Sequence, residues 1–221
     1  GHAFQDNEIL IVLKNKRGNK LLCITYNFMT ESSSQVEHSI PLMSEKFVQS
    51  FNIYGRCFVF TRGDDCELNR YEFKTGGTKL KHNINLEVSL SSLNHEQTRL
   101  SEYFTDYSFN AISQEIPKIN NNLPQNLKVA SSQVKMYEFE NGFIWTLDKY
   151  DDHTLMLYFS YPDFEPKVNY IPKQEFSEGG VETNSYLFED KIAHLVTSPK
   201  KLSIEIKSIA NENKTLKSFR F

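Results

Sequence analysis

QVKMYEFENGFIWTLDKYDDHTLMLYFSYPDFEPKVNYIPK, residues 133–173, is a set of short apolar runs broken three times by turn residues. The breaks are Glu140-Asn141-Gly142, Tyr150-Asp151-Asp152-His153 and Tyr161-Pro162-Asp163. Asn-Gly between apolar runs predicts a tight hairpin, because both residues tolerate positive φ. Phe143, Trp145 and Leu147 fall on one face of an extended strand, and Leu155, Leu157 and Phe159 on one face of the next. That period of two is the period of β-structure. The stretch reads as a four-stranded antiparallel meander.

Measured against this unit, the remainder of the chain contains poorer copies. Residues 8–14, 21–26 and 35–40 read as three strands, and residues 46–53, 56–61, 67–73 and 79–86 as four. Residues 182–188, 191–197, 201–208 and 214–221 give four more. Tyr54-Gly55, Gly63-Asp64-Asp65, Thr75-Gly76-Gly77, Glu189-Asp190 and Ser198-Pro199-Lys200 supply the turn residues between them. The first hairpin turn of each unit falls at Asn7, Gly55, Gly142 and Asp190, spaced 48, 87 and 48 residues apart. The middle spacing is about two periods of 40–50 residues, the repeat length of four-stranded blades.

The pattern resembles degenerate β-propeller blades, as in divergent WD-repeat and kelch-like proteins. Neither the Gly-His and Trp-Asp pair nor the kelch Gly-Gly with spaced Tyr and Trp is present. The resemblance therefore implies an architecture and carries no functional residue with it. The expected fold is all-β, a propeller-like array of four-stranded antiparallel blades in one domain over residues 1–221, itself a fragment of a longer protein in one reading. The alternative is two β lobes, sandwich or barrel, joined by a helix. That helix is expected within an insertion spanning residues 93–129. Asn94 can cap it, with Gln97 three residues on, and Leu100, Tyr103, Phe104 and Tyr107 follow at helical spacing. Pro117 and Asn120-Asn121-Asn122-Leu123-Pro124 then read as loop. The first unit is expected to lack its innermost strand.

Seventeen Phe and eleven Tyr provide ample core material. Net charge is −3 with basic residues scattered, which argues against a nucleic-acid groove. Mean hydropathy is −0.50, and no apolar run approaches the length of a membrane-spanning helix. Three cysteines, Cys23, Cys57 and Cys66, read as free and mostly buried thiols, which favours a reducing compartment. Gly1-His2 reads as a cloning scar, so a removed signal peptide, and with it the envelope, stays open.

No nucleophile elbow, Walker loop, dinucleotide fingerprint or metal-ligand spacing occurs, so no catalytic residue, metal or cofactor is expected. If the units are blades, the loops joining their second and third strands share one face. That face would carry Arg17, Asp64, Asp65, Tyr150, Asp151, Asp152 and His153. Such carboxylates can hold a basic peptide, a cation or a glycosidic bond, or can simply serve turn geometry. His194, between Ile192 and Val196 on one strand face, reads as a satisfied core histidine, and Trp145 as buried between blades. The expected function is a non-enzymatic protein-binding or scaffolding module, its partner docking on residues 93–129 or on an open sheet edge. The alternative is a sugar-active hydrolase or lectin with Trp145 exposed beside Asp151 and Asp152.

Overall fold

The computed structural model describes residues 1–15, 20–39, 45–63, 67–74, 79–86, 116–119, 131–148, 152–174, 182–210 and 213–221. The expected helix over residues 93–116, with Leu100, Tyr103, Phe104 and Tyr107, lies outside them but for Ile116, as do Cys66, Arg17, Asp64, Asp65, Tyr150 and Asp151.

The described chain is all-β: four sheets, each built on a four-stranded antiparallel meander in which strand order follows chain order. The first sheet is β1 (His2–Gln5), β2 (Glu8–Lys14), β3 (Lys20–Asn27) and β4 (Ser32–Ser39). The second is β5 (Lys46–Ile53), β6 (Arg56–Arg62), β7 (Glu67–Phe73) and β8 (Lys79–Asn85). The third has five strands: β9 (Lys118–Ile119), β10 (Val134–Phe139), β11 (Gly142–Leu147), β12 (His153–Ser160) and β13 (Lys167–Pro172). The fourth is β14 (Glu182–Phe188), β15 (Lys191–Thr197), β16 (Leu202–Ser208) and β17 (Lys214–Arg220).

Two features correct the sequence reading. The first sheet is complete, because β1 pairs antiparallel with β2 from His2↔Ile11 to Gln5↔Glu8. Gly1 continues the ladder, exchanging backbone bonds of 2.8 and 2.9 Å with Val12. Only Ala3 of this strand is buried, so no alternation of large side chains advertises it. The third sheet gains β9, whose Lys118 and Ile119 pair in parallel with Met136 and Tyr137 of β10.

The hairpin β1–β2 turns on Asp6-Asn7, β5–β6 on Tyr54-Gly55 and β14–β15 on Glu189-Asp190. Asp6, Tyr54, Gly55 and Glu189 all have positive φ, as a two-residue turn matched to strand twist requires. Gly55 is constrained further, since a Cβ there would stand 2.8 Å from the Phe4 carbonyl oxygen.

The chain divides into two compact units. One is Gly1–Ile116 with Glu140–Gly142 and Ser160–Pro166; the other is Pro117–Phe139, Phe143–Phe159 and Lys167–Phe221. In the first, Leu10, Val12, Leu21 and Cys23 of one sheet pack on Cys57, Val59, Tyr71 and Phe73 of the next. Cys23 and Cys57 are both reduced and buried, and burial pushes the Cys23 thiol up to about 12, with Cys57 nearby adding to the effect. The opposite face of β6 meets the β12–β13 connection, where Phe164 lies 5.1 Å from Phe58 and 5.6 Å from Phe60, ring to ring. Arg70 stands over Phe164 and donates from Nη1 to the carbonyls of Pro162 (2.6 Å) and Asp163 (3.3 Å). With both faces covered, β6 and β7 are buried almost throughout.

In the second unit, Ile119, Tyr137, Met156 and Ile171 pack on Leu187 and Ile192. Trp145 is fully buried, 6.5 Å from Phe159, which itself stacks on Phe143 at 4.6 Å.

Candidate functional site

Of the loop face read from the sequence, only Asp152 and His153 lie among the described residues. The Asp152 carboxylate is exposed and sits 2.7 Å from His153 Nδ1. The His153 ring stacks on Tyr170 at 4.4 Å. The pair closes the start of β12: the Asp152 carbonyl accepts the Lys173 amide at 2.7 Å.

A dense polar cluster among the described residues is centred one residue beyond β11, at Asp148, which is not among the residues singled out from the sequence. Asp148 is completely buried, and so are Lys135 on β10 and Lys173 just after β13. Asp148 Oδ1 accepts from Thr154 Oγ1 (2.6 Å), and Oδ2 accepts from the Ser185 amide (2.8 Å) and hydroxyl (2.5 Å). The ammonium of Lys135 stands 3.6 Å from Oδ2 and donates to Asn184 Oδ1 (2.5 Å) and the Ser185 carbonyl (2.9 Å). Lys173 Nζ stands 3.5 Å from Oδ1 and donates to the Asp148 carbonyl (3.0 Å) and Thr183 Oγ1 (2.8 Å). The Thr183 hydroxyl in turn donates to that same carbonyl at 2.8 Å. A carboxylate with five close donors stays ionised. Burial alone would raise the Asp148 pKa, but Lys173, Lys135 and the two hydroxyls outweigh it and hold it below the usual carboxylate range. Lys135 is pushed down by its burial, with Lys173 adding to the effect and Asp148 opposing it.

His194 on β15 completes the cluster, its Nε2 standing 3.2 Å from Thr154 Oγ1. The single Thr154 hydroxyl proton is directed to Asp148, so His194 must donate from Nε2 and carry its lone pair on Nδ1. Nδ1 is buried without a hydrogen-bond partner. The histidine is in the core as the sequence suggests, with one ring nitrogen satisfied and the other not. Burial pushes its pKa down to about 3, against the pull of Asp148. In this order of donors the hydroxyls of Thr154 and Ser185 feed the carboxylate and are not activated by the imidazole. The cluster ties β10, β12 and the ends of β11 and β13 to β14 and β15. It is a latch between two sheets.

A signal for it exists in the sequence. Lys135 shares its strand face with the buried Tyr137, so alternation alone turns a lysine inward.

A second buried carboxylate lies in the first unit. Glu45, just before β5, is 4% exposed and accepts from Thr61 Oγ1 (2.5 Å), Tyr71 OH (2.6 Å) and Lys81 Nζ (2.6 Å). Burial raises its pKa, but these three bonds outweigh it and the carboxyl rests below its ordinary value.

The outer strands are the opposite of these interiors. Every residue of β17 is exposed, including Leu216 and Phe219, and Phe221 follows at 74% exposure. The strand also carries Lys214, Lys217 and Arg220 and no acidic residue. The edge strand β4 is exposed apart from a half-buried His38.

No family model matches the chain, and no curated protein matches it. Among solved structures, the WD40 domain of SCAP from fission yeast is similar at 9% identity and a TM-score of 0.39, over 100% of this chain and 64% of that one. An uncharacterised protein from Listeria monocytogenes is similar at 6% identity and a TM-score of 0.27, over 98% of this chain and 63% of that one. The chain thus spans less than two thirds of either. At these scores neither likeness bears on function, and the fold stands on its own strand pairing.

Proposed function

We propose that this chain is a non-enzymatic protein-binding module that accepts a partner along an outer sheet edge, foremost β17. The observation that carries this reading is the exposure of all seven β17 residues, with Leu216 and Phe219 on the strand and Phe221 after it. An outer strand keeps one row of backbone donors and acceptors unpaired by its own sheet, a template for strand addition. Three cations without an acid disfavour pairing with a second copy, because lysines would face lysines. They suit a strand that alternates apolar and acidic residues. The sugar-active alternative is weakened: Trp145 is fully buried and has no face to offer a sugar ring.

The test is to pan a display library of short peptides against the protein and against a Leu216→Asp/Phe219→Asp variant. Peptides enriched only on the unaltered protein should be acidic-apolar in pattern and should slow amide exchange in β17. The reading fails if no enriched peptide protects β17, or if the variant retains the same peptides.

A further inference from the structure

The first unit contains a cleft of about 290 Å³ where β1 passes the β5–β6 hairpin, and no functional residue read from the sequence lies in it. Its floor is the buried Ala3 and Phe73, its walls are the half-exposed rings of Phe4 (55%) and Tyr54 (58%), and Arg56 and Lys74 line it as well. The close packing of the hairpin on β1 at this corner depends on Gly55. At φ 71°, with no side chain, it lets the hairpin approach the Phe4 carbonyl so closely that a Cβ would collide with it.

Arg56 is held in place. Its Nη1 donates to Glu72 Oε1 at 2.8 Å, and its guanidinium lies 5.5 Å from the centre of the Tyr161 ring. Its side chain nevertheless remains 46% exposed. Positioned by two contacts, the guanidinium has little rotamer freedom left to lose on binding. Lys74, at the end of β7, is exposed and adds a second positive charge, and no carboxylate is among the described lining residues. Glu72 neutralises part of the Arg56 charge from behind the cleft, so the lining keeps a net positive charge through Lys74 and the exposed side of the guanidinium. Aromatic walls with that charge complement one chemistry: an anionic head on an apolar body. The volume lies at the low end for small-molecule sites, room for one ring and its carboxylate rather than a nucleotide cofactor.

We propose that this cleft binds an aryl-aliphatic carboxylate, either as a free acid or as the C-terminal residue of a peptide. The carboxylate pairs with Arg56 and Lys74 while the ring lies between Phe4 and Tyr54. The site is independent of the β17 edge, so failure of either reading leaves the other standing.

The experiment is a titration of the full chain with phenylpropionate, followed by backbone amide shifts, with phenylpropanamide as the uncharged control. A short peptide ending in phenylalanine is compared as its free acid and as its amide. The acids should shift Phe4, Gly55 and Arg56, and the amides should bind about tenfold more weakly, the worth of a charge-assisted hydrogen bond. Arg56→Gln should weaken the acids to the level of the amides. Lys74→Gln, at an exposed position that leaves the Glu72 pair intact, should weaken them by a smaller factor. Binding of both acids makes a peptide terminus an accessible source; binding of the free acid alone restricts the site to small molecules. Equal binding of acid and amide, or acids undisturbed by both substitutions, would overturn the proposal, as would the absence of shifts at the cleft.

Discussion

Glu45 and Asp148 are both buried carboxylates held ionised by lysine and hydroxyl donors, one in each unit, yet their surroundings differ in the quantity that sets their energetics. The lysine on Glu45, Lys81, is 40% exposed, so water shares the charge and screens it. Both lysines on Asp148 are fully buried, so their charges and that of the carboxylate meet out of reach of bulk water. In the first unit the carboxylate is an anchor for Thr61 and Tyr71. In the second, among the described residues, it is the counter-ion that two buried ammonium groups share. Identical hydrogen-bond counting would therefore mislead: desolvation, not the number of bonds, ranks the two sites.

The sharpest way to break this contrast is Asp148→Asn. It removes the carboxylate charge shared by two buried ammonium groups and should cost about 3–5 kcal/mol, a large part of a typical domain's stability. Urea unfolding measures it, and a loss no larger than that of an exposed ion pair would show that the latch is hydrated. Next in size is the pH dependence of the same latch. His194 has a folded pKa near 3 against about 6.5 unfolded, so it takes up a proton only on unfolding. Above that unfolded value it contributes no pH dependence. As pH falls from about 6.5 toward 3, stability should drop by up to about 1.4 kcal/mol per unit. His194→Leu should flatten this slope in melts taken across that window. A residual loss below about pH 4 should persist, because Asp148 and Glu45 have depressed folded pKa values and their stabilisation vanishes as they are protonated. The smaller effects belong to the first unit. Glu45→Gln, which keeps an acceptor but loses the charge, should cost about 1–2 kcal/mol, and Lys81→Met less than about 1 kcal/mol. If Lys81→Met proved as damaging as Asp148→Asn, exposure would not be what separates the two carboxylates.

How much of this was legible in the sequence varies by element. Glu8–Lys14, Glu67–Phe73, Glu182–Phe188 and Lys191–Thr197 coincide with the strands read from alternation and turn residues. Those runs carry apolar and aromatic residues in short stretches bounded by turn residues. Strand β1 was missed because it buries only Ala3, and a single small side chain sets no period. Strand β9 was missed because two residues pairing in parallel with β10 leave no local pattern at all. Trp145, which alternation places on an apolar strand face, is buried. The latch was not read. Lys135, Asp148 and Lys173 come from three separate segments, and each lies at or near a strand end, where a charge reads as solvated.

Local order in this protein is written along the chain: where strands run, where they turn, and which face of each is apolar. These are properties of neighbouring residues, set by backbone sterics and by a side-chain period of two. The tertiary structure alone decided which polar groups meet. Lys135 finds Asn184 and Ser185 some fifty positions on, and Arg56 is held by Glu72 and Tyr161 beside a cleft that Gly55 also lines. Such meetings depend on sheets packing face to face and on what that packing removes from water, and the free energy of a buried charge is set by that surrounding rather than by its position in the chain.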